Sequence, residues 1–479
     1  MKTLWAAVDQ GSGSTKGALV SESGACAFTN RIPVERSVSG DHVAHDPAAL
    51  AQSVVDVLDE LLARAPAGSV AGIGLTCQRS TCLLWDRGSG EAISEALSWQ
   101  DRSQARRAAR LEGHQRLIRR RTGLPLSPHY AALKLAHLLR REPGGLLRAA
   151  RGEIVAGTLD AFLVRRLVGR DVTEPGHAGR TLCFHLERNR FDPELCRLFG
   201  VPPEALPRVV PSAAPRGSYR GVPLTAVAGD QQAALLGHGG WRTGVTAAHF
   251  GTGAFVLAST GARPRRSRQV LSAALATTGR ARRYQVEGSV NSAGSAVDWI
   301  FDITRSRFED WREREITPGE LPAVLPAFAG LATPWWQPST RAVFAAINSK
   351  TSVEDLVAGT LYALAMRVLD CVDALDRAGA ATKVLRVSGK LTRLGGLIAL
   401  LANAGQIEVE VSEQEETGLD GIARLAAAGR RGNALPLTRS APSRSTVGPC
   451  WAPAQAARAR RRWRAFVRRA LETARTEPF

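Results

Sequence analysis

The amino-terminal segment reads AAVDQGSGSTKGALV over residues 6–20, where one apolar run enters a Gly/Ser-rich turn and a second leaves it. A comparable pattern, TAAHFGTGAFVL, occurs at residues 246–257. Each pattern predicts two strands joined by a turn whose glycines permit close approach or positive φ. The turns begin at Gly11 and Gly251, 240 positions apart, about half of the chain. The repetition predicts two similarly built domains whose hairpins face each other across a cleft.

Helical periodicity alternates with strand-like runs in the remaining sequence. An amphipathic helix is predicted over Asp46–Arg64, and Ser352 with Asp355 forms a capping-box-like pair that opens a longer helix ending near Leu375. Strands are predicted at Val70–Leu75, Cys82–Trp85 and Val384–Val387. This alternation indicates an α/β fold.

The predicted domains span residues 1–240 and 241–479. Near the carboxyl terminus, residues 430–455 are rich in Gly, Pro, Ser and Arg, which predicts a surface loop. A basic helix is predicted over residues 455–475, with Trp463, Phe466, Val467 and Leu471 on its packing face.

Composition narrows the class of protein. The chain has 479 residues, 44% of them hydrophobic and 22% charged, and its apolar runs are too short for a membrane span. Seven scattered cysteines fit a reducing compartment better than a disulfide framework, so we expect a cytoplasmic protein without a membrane partner. The net charge of +19 comes mostly from Arg, since only 6 of the 63 basic residues are Lys. Coding bias explains this skew as well as polyanion binding does, and no specific nucleic-acid partner is expected.

The first turn carries groups that suit phosphoryl transfer. Asp9 ends a predicted buried strand and could hold Mg²⁺, while Lys16 adds a positive charge. Between them the turn offers backbone amides and hydroxyls that could cradle phosphates, from Gly11, Ser12, Gly13 and Ser14. An ordinary tight hairpin with an exposed Asp remains the alternative interpretation.

A second candidate segment, VAGDQQAALLG, occupies residues 227–237. It places Asp230 between an apolar strand and an apolar helix, where a carboxylate can accept a proton from a bound hydroxyl. Gln231 can bond a neighbouring hydroxyl. A helix-capping Asp is the alternative interpretation, although capping does not account for the two glutamines.

Together these segments resemble the FGGY family of carbohydrate kinases, most closely its glycerol kinase branch. The resemblance covers nearly the whole chain in the family's order. The matching motifs are D-Q-G-S at 9–12, Q-R at 78–79, W-Q-D-R at 99–102, G-D-Q-Q-A-A at 229–234, G-T-G at 251–253, E-G-S at 287–289 and A-G-S-A-V-D-W at 293–299.

The resemblance implies two ribonuclease-H-like domains of the actin, Hsp70 and sugar kinase type around a central cleft that holds ATP and Mg²⁺. It implies that Asp230 is the catalytic base for phosphorylation of a small polyol or sugar, and that Asp9 and Asp230 lie at the metal. Substrate contacts are implied for Arg79, Ser80, Trp99, His129, Asp230 and Gln231. Nucleotide contacts are implied for Gly11, Ser12, Gly13, Ser14, Lys16, Gly251, Thr252, Gly253, Gly294, Asp298, Gly389 and Lys390.

The sequence departs from the family pattern at both ends of the expected site. Ser80 stands where glycerol kinases carry a Glu that binds glycerol, and His129 aligns with a substrate-binding Tyr. At the adenine-binding turn, Lys390 replaces the second Gly of D-G-G. Because of these changes, a second hypothesis remains: the protein is a catalytically weakened paralogue that binds nucleotide or sugar and regulates another process. A homodimer is also left open.

Overall fold

The structure of the protein is a computed structural model. The structure describes residues 3–24, 26–279, 281–317, 319, 321–414, 416–432, 437 and 442–476.

The first half of the chain alternates strands with helices. In chain order its strands are β1 Leu4–Gln10, β2 Ser14–Ser21, β3 Cys26–Pro33, β4 Ser37–Ser39, β5 His42–His45, β6 Val70–Cys77, β7 Cys82–Asp86, β8 Ala96–Leu97, β9 Ile154–Thr158, β10 Val172–Thr173, β11 Phe184–His185, β12 Arg190–Phe191, β13 Arg208–Val209, β14 Ser218–Tyr219 and β15 Val222–Gly229. Its helices are α1 Pro47–Arg64, α2 Ala105–Arg110, α3 Gln115–Thr122, α4 Ala131–Arg141, α5 Gly145–Ala150, α6 Leu159–Val168, α7 Pro175–Gly179, α8 Pro193–Phe199 and α9 Asp230–Gly237.

The second half follows the same alternation. Its strands are β16 Val245–Phe250, β17 Ala254–Gly261, β18 Leu271–Thr277, β19 Arg282–Val290, β20 Ala323–Leu325, β21 Val343–Ala345, β22 Val384–Gly389, β23 Glu408–Ser412 and β24 Ser443–Val447. Its helices are α10 Gly294–Thr304, α11 Val353–Arg377, α12 Gly395–Gly405, α13 Thr417–Arg431 and α14 Pro453–Thr476.

Two large sheets repeat one arrangement of five strands. In the first sheet, β3, β2 and β1 form an antiparallel meander, and β6 and β15 continue it parallel to β1. In the second sheet, β19, β17 and β16 form the meander, and β22 and β23 continue it parallel to β16. The predicted pair of ribonuclease-H-like domains is confirmed, and the two Gly-containing turns occupy equivalent positions in them.

A smaller five-stranded sheet lies beside the first large sheet, in the order β4-β5-β8-β7-β9. Residues that the sequence analysis assigned to the substrate lie just outside its strands and at the start of α4: Ser80 precedes β7, Trp99 follows β8 and His129 precedes α4. This sheet therefore positions the expected substrate end of the site.

Helix α13 crosses from the second half of the chain onto the first sheet. It contacts β1, β6 and β15, and it also contacts α9. Ala7 of the sheet and Ile422 of the helix belong to one buried cluster, which also contains Leu257 of the second sheet. The helices approach so closely that a Cβ on Gly421 would lie 1.8 Å from the Ala233 carbonyl oxygen. Helices α9 and α13 thus form a packed layer shared by the two sheets.

The local predictions largely agree with these elements. Helix α1 begins after Asp46, whose side chain accepts a hydrogen bond from the Ala48 amide, and α11 has the predicted capping box of Ser352 and Asp355. The basic carboxyl-terminal helix is α14, with Trp463 and Val467 buried.

The prediction of a loop over residues 430–455 is wrong in part. Helix α13 continues to Arg431, β24 pairs with β23 over Ser443–Val447, and α14 begins at Pro453. Strand β24 is a mostly exposed edge strand, so it lacks the apolar alternation by which sequence reasoning recognises strands. Residues 433–436 and 438–441 lie outside the described part of the chain.

Among the residues that the structure describes, no helix combines the length and apolar character that crossing a membrane requires.

Candidate active site

A backbone hydrogen bond closes each of the two Gly-containing turns, and the first turn is one residue longer than the second. The Gly11 amide donates to the Ser14 carbonyl at 2.9 Å, and the Gly251 amide donates to the Gly253 carbonyl at 2.9 Å. The second turn is held against the start of α10, because the Gly294 amide donates to the Gly251 carbonyl at 3.0 Å. A Cβ on Gly294 would lie 2.5 Å from that carbonyl oxygen, so a larger residue would displace the turn. The start of α10 therefore fixes the position of the second turn.

Asp9 ends β1 beside the first turn. Its side chain is partly exposed, but its Oδ1 atom is buried and has no hydrogen-bond partner among the described residues. Burial raises the pKa of Asp9 to about 7; Lys16 opposes the rise, and the charge of Asp230 adds to it. A buried carboxylate oxygen without a partner is ready to accept a ligand's hydrogen bond or a cation.

Asp230 is the first residue of α9 and is one-third exposed. Its Oδ1 atom accepts a hydrogen bond from the Gln231 amide at 2.7 Å and lies 3.1 Å from Nε of Arg79. The cap of α9 is Gly229, so the capping role considered for Asp230 is not what the structure shows. The Gln231 Oε1 atom is buried and has no hydrogen-bond partner in the part of the chain that the structure describes. Asp230 is therefore oriented by an arginine and keeps an exposed edge.

A buried ion-pair network fixes this arginine. Arg79 donates to both carboxylate oxygens of Glu287, at 2.6 and 3.0 Å, and Arg180 donates to Glu287 Oε2 at 2.7 Å. Burial by itself would raise the pKa of Glu287, but the two guanidinium groups hold it well below its usual range, at about 2. Glu287 belongs to β19 and both arginines belong to the first half of the chain. The network thus joins the two halves next to Asp230.

The expected substrate end brings together Ser80, Trp99 and His129. The rings of Trp99 and His129 meet edge to face with centroids 5.6 Å apart. Burial, with the nearby charges of Lys134 and Arg180, lowers the pKa of His129 to about 3, so its imidazole is neutral near pH 7. Ser80 is fully buried, and its hydroxyl has no partner among the described residues. These groups offer neutral hydrogen bonding and an aromatic face.

Lys134 connects these three segments and was missed by sequence reasoning. Its buried ammonium group donates to the carbonyls of Ser80, Ser98 and His129 at 2.9, 2.8 and 3.1 Å. The signal in the sequence is a single charged residue within the otherwise apolar start of α4. Three hydrogen bonds satisfy the three donors of the ammonium group, so Lys134 fixes the relative positions of the substrate segments.

Replacing Lys134 by Met is expected to raise KM for the polyol or sugar by about tenfold or more and to lower the unfolding free energy by about 2–3 kcal/mol. Each lost bond to a charged donor is worth about 1.5–3 kcal/mol, and relief from burying the charge offsets part of the total. Steady-state kinetics and urea unfolding measure both effects, with Lys350→Met on an exposed loop as the control. An unchanged KM for the polyol, or a KM for ATP raised equally, would contradict a positioning role.

The expected adenosine side lies at the end of β22. Gly389 has φ of +98°, and a Cβ there would lie 2.1 Å from the Phe250 carbonyl oxygen. Lys390 is exposed, with its Nζ atom 5.0 Å from the centroid of the Phe308 ring. Asp298 and Thr252 are exposed, on α10 and in the second turn. In this arrangement the Lys390 side chain rests on an aromatic ring.

The ammonium group of Lys16, which was predicted to bind phosphate, is paired with a carboxylate. Its Nζ atom donates to both carboxylate oxygens of Glu416, each at 2.9 Å, and Arg31 donates to the same carboxylate at 3.0 Å. A phosphate group at Lys16 would have to compete with Glu416, which immediately precedes α13.

The carboxylates at the site suit Mg²⁺. Within the described part of the chain, no three His, Cys, Asp or Glu side chains form a metal-binding cluster. Mg²⁺ needs no such cluster, because it usually keeps several waters and binds through one or two carboxylates and substrate phosphates. The unpartnered Oδ1 atom of Asp9 and the exposed edge of Asp230 fit this mode.

Comparison with known proteins agrees with this geometry. Residues 4–237 match the N-terminal domain of the FGGY family of carbohydrate kinases, and residues 246–430 match its C-terminal domain. A glycerol kinase of Xanthobacter autotrophicus is 36% identical over 442 residues, which cover 88% of this chain and 89% of the relative. A glycerol kinase of Methylobacterium nodulans is 37% identical over 451 residues, covering 89% of each.

Solved structures share the fold. Plasmodium falciparum glycerol kinase with ADP superposes with a TM-score of 0.90 at 23% identity, covering 98% of both chains. Gluconate kinase from Lactobacillus acidophilus superposes with a TM-score of 0.88 at 16% identity, covering 99% of both chains. The chain belongs to the FGGY family of carbohydrate kinases, and its activity is the ATP-dependent phosphorylation of a polyol or sugar hydroxyl.

Proposed function

We propose that this enzyme phosphorylates a hydroxyl of a small polyol, with Asp230 as the general base and the nucleotide held between the two Gly-containing turns. The observation that carries the proposal is the position of Asp230. It is partly exposed at the start of α9, oriented by Arg79, and close enough to Asp9 for their charges to interact.

The base has a defined task in this mechanism. The exposed edge of Asp230 accepts the proton of the attacking hydroxyl while the new O–P bond forms, and the bond from the γ-phosphorus to the bridging oxygen breaks so that ADP leaves. Its Oδ1 atom accepts a hydrogen bond from the Gln231 amide and forms an ion pair with Arg79, and these two contacts hold the carboxylate in one orientation. Gln231 would accept a hydrogen bond from a neighbouring substrate hydroxyl, since no described residue donates to its Oε1 atom.

The turns have a complementary task. Backbone amides of the segments at residues 11–14 and 251–253 bind the phosphates, and the start of α10 supports the second turn. Asp9 and Asp230 would hold Mg²⁺, which when bound would supply positive charge to the transferred phosphoryl group. Closure of the cleft excludes water, so that the polyol rather than water is the acceptor.

The residues at the substrate end favour a polyol whose hydroxyls are bound without a carboxylate at the position after Arg79. Arg79 and Arg180 are already paired with Glu287, and Ser80 supplies a hydroxyl where the glycerol kinase pattern has a carboxylate. The relatives reported above are named for glycerol, which is therefore the first candidate. Ser80 removes the carboxylate acceptor of the glycerol kinase pattern, so larger polyols belong in the test as well.

The test is ADP release from Mg²⁺-ATP with a panel of glycerol, longer polyols, ketoses and sugar acids. We expect turnover that requires both Mg²⁺ and one polyol of the panel. Nucleotide binding with no turnover on any member would contradict the proposal and favour the regulatory paralogue.

A further inference from the structure

A large groove lies in the second half of the chain, between helix α14 and the β20–β21 hairpin. Its volume is about 1040 Å³, at the upper end of the range of about 300–1,000 Å³ that small-molecule sites occupy. Its lining includes Tyr362 of α11 and no residue of either Gly-containing turn. The groove is therefore separate from the proposed catalytic cleft.

The floor of the groove is aromatic. Trp463 is buried and Phe466 is partly buried on the inner face of α14, and Phe344 and Tyr362 approach from the hairpin and from α11. Flat rings of this kind bind apolar or aromatic groups of a ligand with little loss of side-chain entropy.

The rim of the groove is cationic. Arg341, Arg458, Arg462 and Arg469 line the groove, and none of them forms an ion pair with any described residue. No described lining residue is acidic. The other side of the same helix is different, because Arg460 pairs there with Asp370 and Asp373. Arginine is abundant throughout this chain; what distinguishes the groove is several unpaired guanidinium groups around a concave aromatic floor.

We propose that this groove is a second, non-catalytic site for a nucleoside phosphate. The phosphates would pair with the guanidinium groups, whose planar donors suit phosphate oxygens, and the base would rest on the aromatic floor. Bringing four cations together around one concavity costs free energy, which a polyanion offsets. A neutral ligand or an isolated apolar chain would leave that repulsion in place.

The experiment counts bound ADP by equilibrium dialysis of the full chain in the presence of Mg²⁺. We expect two ADP molecules per wild-type chain and one in the double variant R458Q/R462Q. The matched control, R461Q/R468Q, removes two exposed arginines of the same helix that do not line the groove, and should keep two. Gln keeps the helix propensity of these positions, and circular dichroism verifies the fold.

Turnover separates this proposal from the proposed function. R458Q/R462Q should keep the wild-type KM for ATP, since both arginines lie on α14 and the groove's lining contains no residue of either turn. If the cleft were not the nucleotide site, wild type would bind a single ADP that R458Q/R462Q abolishes. One ADP in both wild type and R458Q/R462Q, or equal loss in the control, would overturn the groove site. The groove site would also be overturned if sedimentation showed that wild type self-associates and R458Q/R462Q does not, because a second copy of the chain would then occupy the groove.

Discussion

Replacing Asp230 by Asn is expected to lower kcat by about three orders of magnitude, within the range of about 10²–10⁴ that a general base contributes. Asn has nearly the same shape and can still accept the hydrogen bond from the Gln231 amide. Arg79 loses its ion pair with Asp230 but keeps its hydrogen bonds to Glu287, so the local structure should survive. It cannot take the proton of the attacking hydroxyl. We therefore expect a large effect on kcat with little change in the Kd for ATP, measured by steady-state kinetics and by calorimetry.

The control for this variant is Asp56→Asn, which makes the same change on the exposed side of α1. It should be indistinguishable from wild type in kcat. Turnover of Asp230→Asn within a factor of about three of wild type would sink the assignment, since that is far below any general-base contribution.

Replacing Glu287 by Ala is expected to destabilise the protein by about 3–5 kcal/mol, the usual cost of removing one partner from a buried ion pair. Arg79 and Arg180 are both buried and would lose their shared carboxylate. Urea unfolding measures the change, with the exposed Glu309→Ala as the control. A loss below about 1 kcal/mol would show that the network contributes little to folding.

The same network predicts a pH dependence. The pKa of Glu287 is depressed from 4.5 to about 2 in the folded chain, so its stabilisation is complete above pH 4.5 and is lost as the pH falls toward 2. The shift corresponds to about 3 kcal/mol. The stability difference between wild type and Glu287→Gln should therefore be constant from pH 5 to 8 and shrink below pH 4.5. A constant difference at pH 3–4 would contradict this assignment.

The sequence predicted the elements that depend on local signals. The two hairpins have glycines at fixed positions, and α1 and α11 have capping residues, Asp46 and Ser352, directly before an apolar stripe. Strand β24 was missed because pairing with β23, rather than its own composition, makes it a strand. The packing of α13 against the first sheet was also beyond local reasoning, since it joins segments about 400 residues apart.

Site residues divide in the same way. Asp9 lies at the end of a strand before a turn, and Asp230 lies at a strand-to-helix junction. Their chemistry is visible in the sequence, and their roles stay predictions. The partners that orient them were not visible, because Glu287 meets Arg79 across 208 positions and Glu416 meets Lys16 across 400. Lys134 left a faint signal, a charge among apolar neighbours, but only the fold shows that it bonds three separate carbonyls.

The position of α13 has a consequence for how the chain folds during synthesis. One face of the first sheet, including Trp5 and Ala7, is covered by Leu419 and Ile422. Leu419 and Ile422 leave the ribosome more than 400 residues after Trp5 and Ala7. During that interval the apolar face of the first sheet is exposed. Such surfaces promote aggregation in nascent chains. The amino-terminal half is therefore expected to need chaperone protection until residue 431 emerges, and a fragment ending at residue 240 should be insoluble by itself.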